Sequence, residues 1–208
     1  MGKECRFCKI GKGEFGEYGI VDSPFFNGED YFSIVSIGAF IDGWTMIIAR
    51  EHKYNLYNEY GKNEFAEYLN AHIAFVRRKY ENSAKIIIFE HGANKCDSLT
   101  ACGTSHAHLH VIPFGDSILP EIQNEKKWIT CKLGQVAEIV GDKEYLLYGE
   151  IAGEQLDIEV YVHIVNRTES QYFRRILAEK TGLIGDYSYK TDARLEEAIK
   201  IRKKFEEG

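Results

Sequence analysis

The run Ser105-His106-Ala107-His108-Leu109-His110-Val111-Ile112-Pro113 places three of the chain's seven histidines at alternate positions. In an extended strand, side chains at i, i+2 and i+4 point to one face. The three imidazoles are therefore expected on one side, with Ala107, Leu109 and Val111 turned toward a core. Groups that titrate near neutrality, set in a row on an apolar backing, suit nucleophilic attack, proton transfer or metal binding. The plainer reading is the polar face of an exposed strand, but histidine is no favoured strand residue.

Other residues carry weaker signals. Cys5-Arg6-Phe7-Cys8 has the C-x-x-C spacing of a zinc knuckle, two thiolates that grip one metal from a tight turn. A redox pair has the same spacing but calls for a nearby βαβ pattern, which is missing. His52 follows an apolar run, where a side chain can reach the end of a sheet; an isolated histidine there is also ordinary surface. His72 falls on the apolar face of an expected helix and reads as a satisfied core residue. Cys96, Cys102 and Cys131 suggest no second site and read as free thiols.

The elements that must hold these groups follow from hydrophobic periodicity. Residues 31–40 and 44–49 are apolar, β-branched and aromatic runs joined at Asp42-Gly43, a hairpin signal. From 63 to 80, Phe65, Tyr68, Leu69, His72, Ile73, Val76 and Tyr80 recur at three- and four-residue steps, one face of a helix that Asn63 can cap. A strand at 85–90, a polar loop at 91–104 and the histidine strand come next. Further strands are expected at 128–133, 145–151 and 158–165, and helices at 170–180 and 192–205. The stretch 115–125 is the best candidate boundary.

Composition limits the function classes. With 208 residues and 44% apolar content the chain can bury a real core, and no run approaches the ~20 apolar residues of a membrane span. A formal charge of −6 argues against general nucleic-acid binding, which wants a basic face. The first residues lack the apolar stretch of a signal peptide, and Arg6 stands where a myristoylation signal wants Ser or Thr. Five cysteines, an odd number, fit a reducing compartment, so a cytoplasmic address is expected.

The run from His106 to Ile112 resembles the signature of the histidine-triad (HIT) superfamily, His-x-His-x-His followed by two apolar residues. Ile47-Ile48-Ala49-Arg50-Glu51-His52 is similar to the family strand that closes with a basic residue and a histidine. Cys5-x-x-Cys8 matches the start of zinc-containing members, and galactose-1-phosphate uridylyltransferases have a comparable arrangement. Phe89-Glu90-His91-Gly92 resembles a large bacterial branch. The resemblance covers residues 4–114. Beyond it, Ser170-Gln171-Tyr172-Phe173-Arg174-Arg175 is more distantly similar to extensions in that branch and in splicing-associated relatives.

The resemblance implies an α+β fold: an antiparallel sheet with helices packed on it at 1–115, carrying an N-terminal zinc knuckle, and an α/β extension at 116–208. It implies a nucleotide hydrolase or nucleotidyltransferase acting at the α-phosphate of an anhydride, ester or phosphoramidate. His108 would be the nucleophile, forming a nucleotidyl-histidine, and His110 would donate to a phosphate oxygen or assist the leaving group. The approach Gly103-Thr104-Ser105 would hold the remaining oxygens. Cys5, Cys8, His52 and His106 would form a closed structural Zn2+ site. A nucleotide or dinucleotide is the expected small-molecule partner, with a homodimer as a candidate assembly.

Two positions depart from the family pattern. The Gly-Gln ahead of the first histidine is replaced by Ala101-Cys102-Gly103-Thr104-Ser105, and the ribose-holding aspartate aligns with Ser36. A nucleotide sensor without turnover is thus one rival; a cupin-like metal enzyme using His163 is another, though no glutamate follows the His-x-His pair. In the extension, Gln171 and Arg174 lie three apart and share a helix face. They are the candidates for the leaving-group side, with a solvated helix face as the plain alternative. The adjacent Arg175 would diverge.

Overall fold

The β-branched and aromatic runs of the first half form strands because each can be covered on both faces. The computed structural model describes residues 5–80, 85–95, 105–153, 158–183 and 186–206. Helix α1 (Arg6–Gly11) is followed by strands β1 (Phe26–Asn27), β2 (Tyr31–Val35) and β3 (Thr45–Ala49). Helix α2 (Asn63–Lys79) leads to β4 (Lys85–Gly92) and β5 (His108–Pro113). Then come α3 (Leu119–Glu125), β6 (Ile129–Lys132), α4 (Val136–Val140), β7 (Tyr145–Ala152), β8 (Glu159–Ile164), α5 (Tyr172–Lys180) and α6 (Leu195–Lys204). The expected α+β class with an antiparallel sheet is what the chain forms.

The strands make one sheet in the order β1-β2-β3-β5-β4-β7-β8-β6, every pair antiparallel. The histidine strand β5 thus sits between β3 and β4. Strands from both sides of residue 115 belong to this sheet: β7 pairs with β4 from Lys85↔Ala152 to Gly92↔Tyr145. The stretch expected as a boundary carries α3.

Register assigns the faces. His108 and His110 stand opposite Ile48 and Met46 of β3, and His110 stands opposite Phe89 of β4. On this face α1 lays Phe7 and Ile10 on Phe32, Ile34, Met46 and Ile48, a small separate cluster. Across the histidines, α5 packs Phe173 against Phe89 at 4.7 Å and Tyr148 at 6.0 Å. Burial of each such side chain stabilises by roughly 1.5–3 kcal/mol. Helix α2 covers the opposite face with Phe65, Tyr68, Leu69, His72, Ile73 and Val76. The front face is therefore a trough with α1 and α5 as its walls.

Several expected boundaries move. The strand expected over 31–40 stops at Val35, because Ser36 begins the loop that turns the chain toward β3. Gly38 and Gly43 in that loop take φ of +67° and +83°, which glycine adopts without a side-chain clash. Asn63 is the first residue of α2 and Lys62 its N-cap. Helix α5 starts at Tyr172, and its N-cap is Gln171, not Ser170. Helices α1, α3 and α4 are too short to show a period in the sequence.

His72 is buried in the core, as expected, but only one of its two ring nitrogens is satisfied among the described residues. Thr45 spends its one hydroxyl proton on the Val111 carbonyl at 3.0 Å, so His72 Nε2 donates to Thr45 Oγ1 at 3.0 Å. The Nδ1 lone pair is buried without a hydrogen-bond partner among the described residues. Burial pushes the His72 pKa down to about 3. The folded value lies below the unfolded one, so the stability tied to the neutral ring is whole above pH 6.5 and is lost as pH falls. By pH 5 the loss is about 2 kcal/mol. Urea unfolding at pH 7 and pH 5 should show the wild type losing that much more than His72→Leu; equal losses would contradict the assignment.

Candidate active site and metal cluster

The histidine run is not one straight strand. Ala107 donates its N–H to the Lys53 carbonyl at 2.6 Å, and its own carbonyl accepts from Ala49 N–H at 3.4 Å. His106 lies in the bend before β5, which begins at His108. Both rings still face α1: Phe7 meets His106 and His108 edge-on, each at 5.6 Å.

The bend gives His106 a separate task. Its Nε2 donates to the Ala49 carbonyl at 2.7 Å, which leaves the Nδ1 lone pair facing Cys5 Sγ at 3.3 Å and Cys8 Sγ at 3.6 Å. His52 Nδ1 lies 3.2 Å from Cys8 Sγ. All four ligand atoms fall within 4.8 Å of one another. A tetrahedron with metal–sulfur near 2.3 Å and metal–nitrogen near 2.0 Å needs edges of roughly 3.3–3.8 Å, so this group can hold a metal ion. Burial holds the His106 ring down to about 4, against the opposing pull of the Ala49 carbonyl, and a neutral imidazole is the form that ligates.

His108 and His110 carry opposite tautomers. His108 Nδ1 donates to the His106 carbonyl at 2.7 Å, so its lone pair is on Nε2. Trp44 Nε1 donates to His110 Nδ1 at 2.9 Å, so the proton of neutral His110 is on Nε2. Burial lowers the His108 pKa, against its bond to the His106 carbonyl, and Arg6 lowers it further. Burial, then His108, Arg174 and His91, hold His110 well below the ordinary histidine range. The two rings lie 5.0 Å apart. One offers a nucleophile and the other a donor.

A pocket over these rings is lined by Arg6, Phe7, Ser36, Ile37, Met46, His91, His108, His110, Gln171, Arg174 and Tyr189. Gln171 and Arg174 therefore come to the histidine face, whereas Arg175 turns outward to Glu125 at 2.6 Å and Glu179 at 3.0 Å. Arg174 is only 4% exposed. Its Nε donates to the Tyr187 carbonyl at 3.0 Å, another nitrogen donates to the Gly38 carbonyl, and the guanidinium lies over Trp44 at 4.5 Å. A side chain at Gly38 would collide with Tyr189 and this guanidinium. Gln171 takes φ of +55°, unusual for a non-glycine residue, and its Nε2 donates to Ser188 Oγ at 2.9 Å. Its Oε1 is buried without a hydrogen-bond partner among the described residues.

Gly103 and Thr104 lie outside the described residues, as do Cys96 and Cys102, and Ser105 is not among the pocket's lining residues. Cys131 is in no disulfide. His163 pairs with Leu146, which pairs with His91, so it stands three strands from β5, roughly 14 Å away. It cannot share a metal with His108, and its Nδ1 donates to the Lys127 carbonyl at 2.8 Å. Four residues were not singled out as site residues from the sequence. His91, which burial, then His108 and Arg174, hold down to about 3, lies two residues past Phe89 on the same face of β4. Strand parity with Phe89 was the available signal. Arg6, Trp44 and Tyr189 had none.

No family model matches the chain, and no curated protein does. Among solved structures the chain is similar to a hypothetical histidine triad nucleotide-binding protein from Sulfolobus tokodaii strain7, at 19% identity and a TM-score of 0.39 over 54% of this chain and 70% of that one. It is also similar to a Hit-like protein involved in cell-cycle regulation from Bartonella henselae, at 18% identity and 0.39 over 57% and 84%. A third similarity is to a uridylyltransferase, at 10% identity and 0.36 over 86% and 80%.

Metal analysis of protein purified without chelators should find one ion per chain. Cys8→Ser should lose the ion and roughly several kcal/mol of stability together, because the ligands tie α1 to the sheet. His108→Ala should retain the metal. Metal-free wild-type protein of full stability would leave the cluster a set of thiol–imidazole contacts.

Proposed function

We propose that the chain is a nucleotide hydrolase or nucleotidyltransferase of the histidine-triad type, acting at the α-phosphate of its substrate through a covalent nucleotidyl-His108 intermediate. The observation that carries this reading is the His108 Nδ1–H bond to the His106 carbonyl, which leaves Nε2 bare on a ring that lines the pocket. Neutral imidazole is a competent nucleophile at pH 7, and a fixed tautomer spares it any prior loss of a proton. His110 Nε2–H is a second-nitrogen donor on the same face, suited to a non-bridging phosphate oxygen. Arg174 supplies the cation. A planar fork held rigidly by two carbonyls and an indole face suits phosphate oxygens on the leaving side, and Gln171 Oε1 offers an acceptor beside it.

In this reading Cys5, Cys8, His52 and His106 take Zn2+, since two thiolates and two imidazoles are its usual closed structural set. Zinc there would hold α1 and the His106 bend in place and contribute no ligand position to the substrate. Segment 1–115 supplies nucleophile and metal ligands, and 116–208 supplies the leaving-group wall.

A panel of nucleotide anhydrides, esters and phosphoramidates, assayed by steady-state kinetics, tests the proposal. His108→Asn keeps size and hydrogen bonding but forms no phosphoramidate bond, so turnover should fall at least about a thousandfold with ligand binding retained. Arg174→Lys, which keeps charge but not the fork, should weaken kcat/KM about tenfold, and Arg175→Ala should leave it unchanged. Near-wild-type turnover by His108→Asn would remove the mechanism.

A further inference from the structure

A residue outside the triad decides which nitrogen of His110 is bare. An indole N–H donates and cannot accept. Trp44 is fully buried and held by ring contacts with Phe40 at 5.1 Å and Phe89 at 5.9 Å. Its N–H is thus fixed on His110 Nδ1. A proton added to Nδ1 would set two N–H groups head to head, beside the Arg174 guanidinium that lies on the same indole.

We propose that Trp44 is a positioning residue that fixes His110 as a neutral, permanent Nε2–H donor, so that the site works on nucleotide anhydrides, whose leaving group departs without a proton, and not on phosphoramidates of alkyl amines. The inference rests on the proposed nucleotidyl transfer to His108 and narrows its substrate class. A neutral imidazole that gave up its only N–H proton would become an imidazolate. His110 can therefore hydrogen-bond a phosphate oxygen but cannot protonate a leaving group, as with other neutral histidines that serve as electrophiles.

The bonds and charges balance without an acid. The His108 Nε2 lone pair forms the N–P bond while the P–O bond to the leaving phosphate breaks, its electron pair departing on that oxygen. The proton stays on Nδ1, hydrogen-bonded to the His106 carbonyl, and His108 carries the positive charge of a nucleotidyl-imidazolium. Water then forms a P–O bond, the N–P pair returns to Nε2, and the water's proton passes to solvent. A phosphate leaves readily as an anion beside the cation of Arg174. An alkyl amine would have to leave as a strongly basic amide ion, because neutral His110, its Nδ1 occupied by the Trp44 N–H, has no proton to give it. His108 is spent as the nucleophile, its one proton hydrogen-bonded to the His106 carbonyl, and arginine does not give up its proton near pH 7.

The experiment pairs 15N-edited NMR of the histidine side chains with kinetics, on the full metal-loaded chain. The probes are a dinucleoside polyphosphate and a nucleoside 5′-phosphoramidate of a primary alkyl amine with the same base. The wild type should show His110 with bare Nδ1 and protonated Nε2, and should favour the anhydride at least a hundredfold in kcat/KM. Trp44→Phe keeps a ring face for Arg174 but loses the N–H. It should mix the His110 tautomers and lower kcat ten- to a hundredfold, with KM within about twofold of the wild type. A wild-type proton on Nδ1, equal use of the phosphoramidate, or wild-type kcat and an unchanged His110 spectrum in Trp44→Phe would overturn the proposal. The wild-type spectrum needs neither a substrate nor a stable variant, so it decides the tautomer by itself. Turnover that survives in His108→Asn would instead remove the reading beneath it.

Discussion

His106 joins two sites through opposite ends of one residue. Its ring, held by the Ala49 carbonyl, turns a lone pair toward Cys5 and Cys8, while its backbone carbonyl accepts a hydrogen bond from His108 Nδ1–H. A hydrogen bond of this kind stabilises by only about 1 kcal/mol, but its geometric effect is larger. If the His106 peptide rotated, His108 would lose the acceptor that keeps Nε2 bare. The bend at His106 is therefore the point on which both the cysteine–histidine cluster and the bare Nε2 of His108 depend. There Ala107 keeps its carbonyl in register on the Ala49 N–H but turns its own N–H to the Lys53 carbonyl.

The trough around His108 is built by both halves of the chain. Helix α1 is six residues long and carries two buried apolar side chains, too little to hold it by local propensity. Cross-links through Cys5 and Cys8 at its start would supply what is missing. The other wall belongs to α5, whose Phe173 packs on Phe89 and His91 and whose Arg174 crosses to the Gly38 carbonyl in the loop between β2 and β3. Burying a guanidinium is costly, and carbonyls together with an indole face compensate for its lost hydration. The result is a cation whose position is fixed before any ligand arrives.

The parts legible in the sequence are those with a period or a spacing. Alternate histidines put His108 and His110 on one face, and three- and four-residue steps located α2 and buried His72. C-x-x-C marked two thiols, while His52 and His106 were named as their partners only by the family resemblance. What was hidden depends on single tertiary contacts. The bend at His106 arises from one backbone bond to Lys53, and the start of α5 shifts because Gln171 takes a left-handed conformation. Trp44 reads only as an apolar strand residue until its N–H is seen on His110. Helices of five to seven residues, such as α1, α3 and α4, carry too few turns to show a stripe.

The central claim is that phosphorus is attacked twice, first by His108 and then by the acceptor. Stereochemistry at the α-phosphorus reports this for any substrate that is turned over. With a nucleotide in which sulfur replaces one α-phosphate oxygen, of one configuration at phosphorus and turned over in isotopically labelled water, two in-line displacements should give a product of retained configuration. Inverted configuration would mean a single direct attack by the acceptor and would contradict the covalent role assigned to His108.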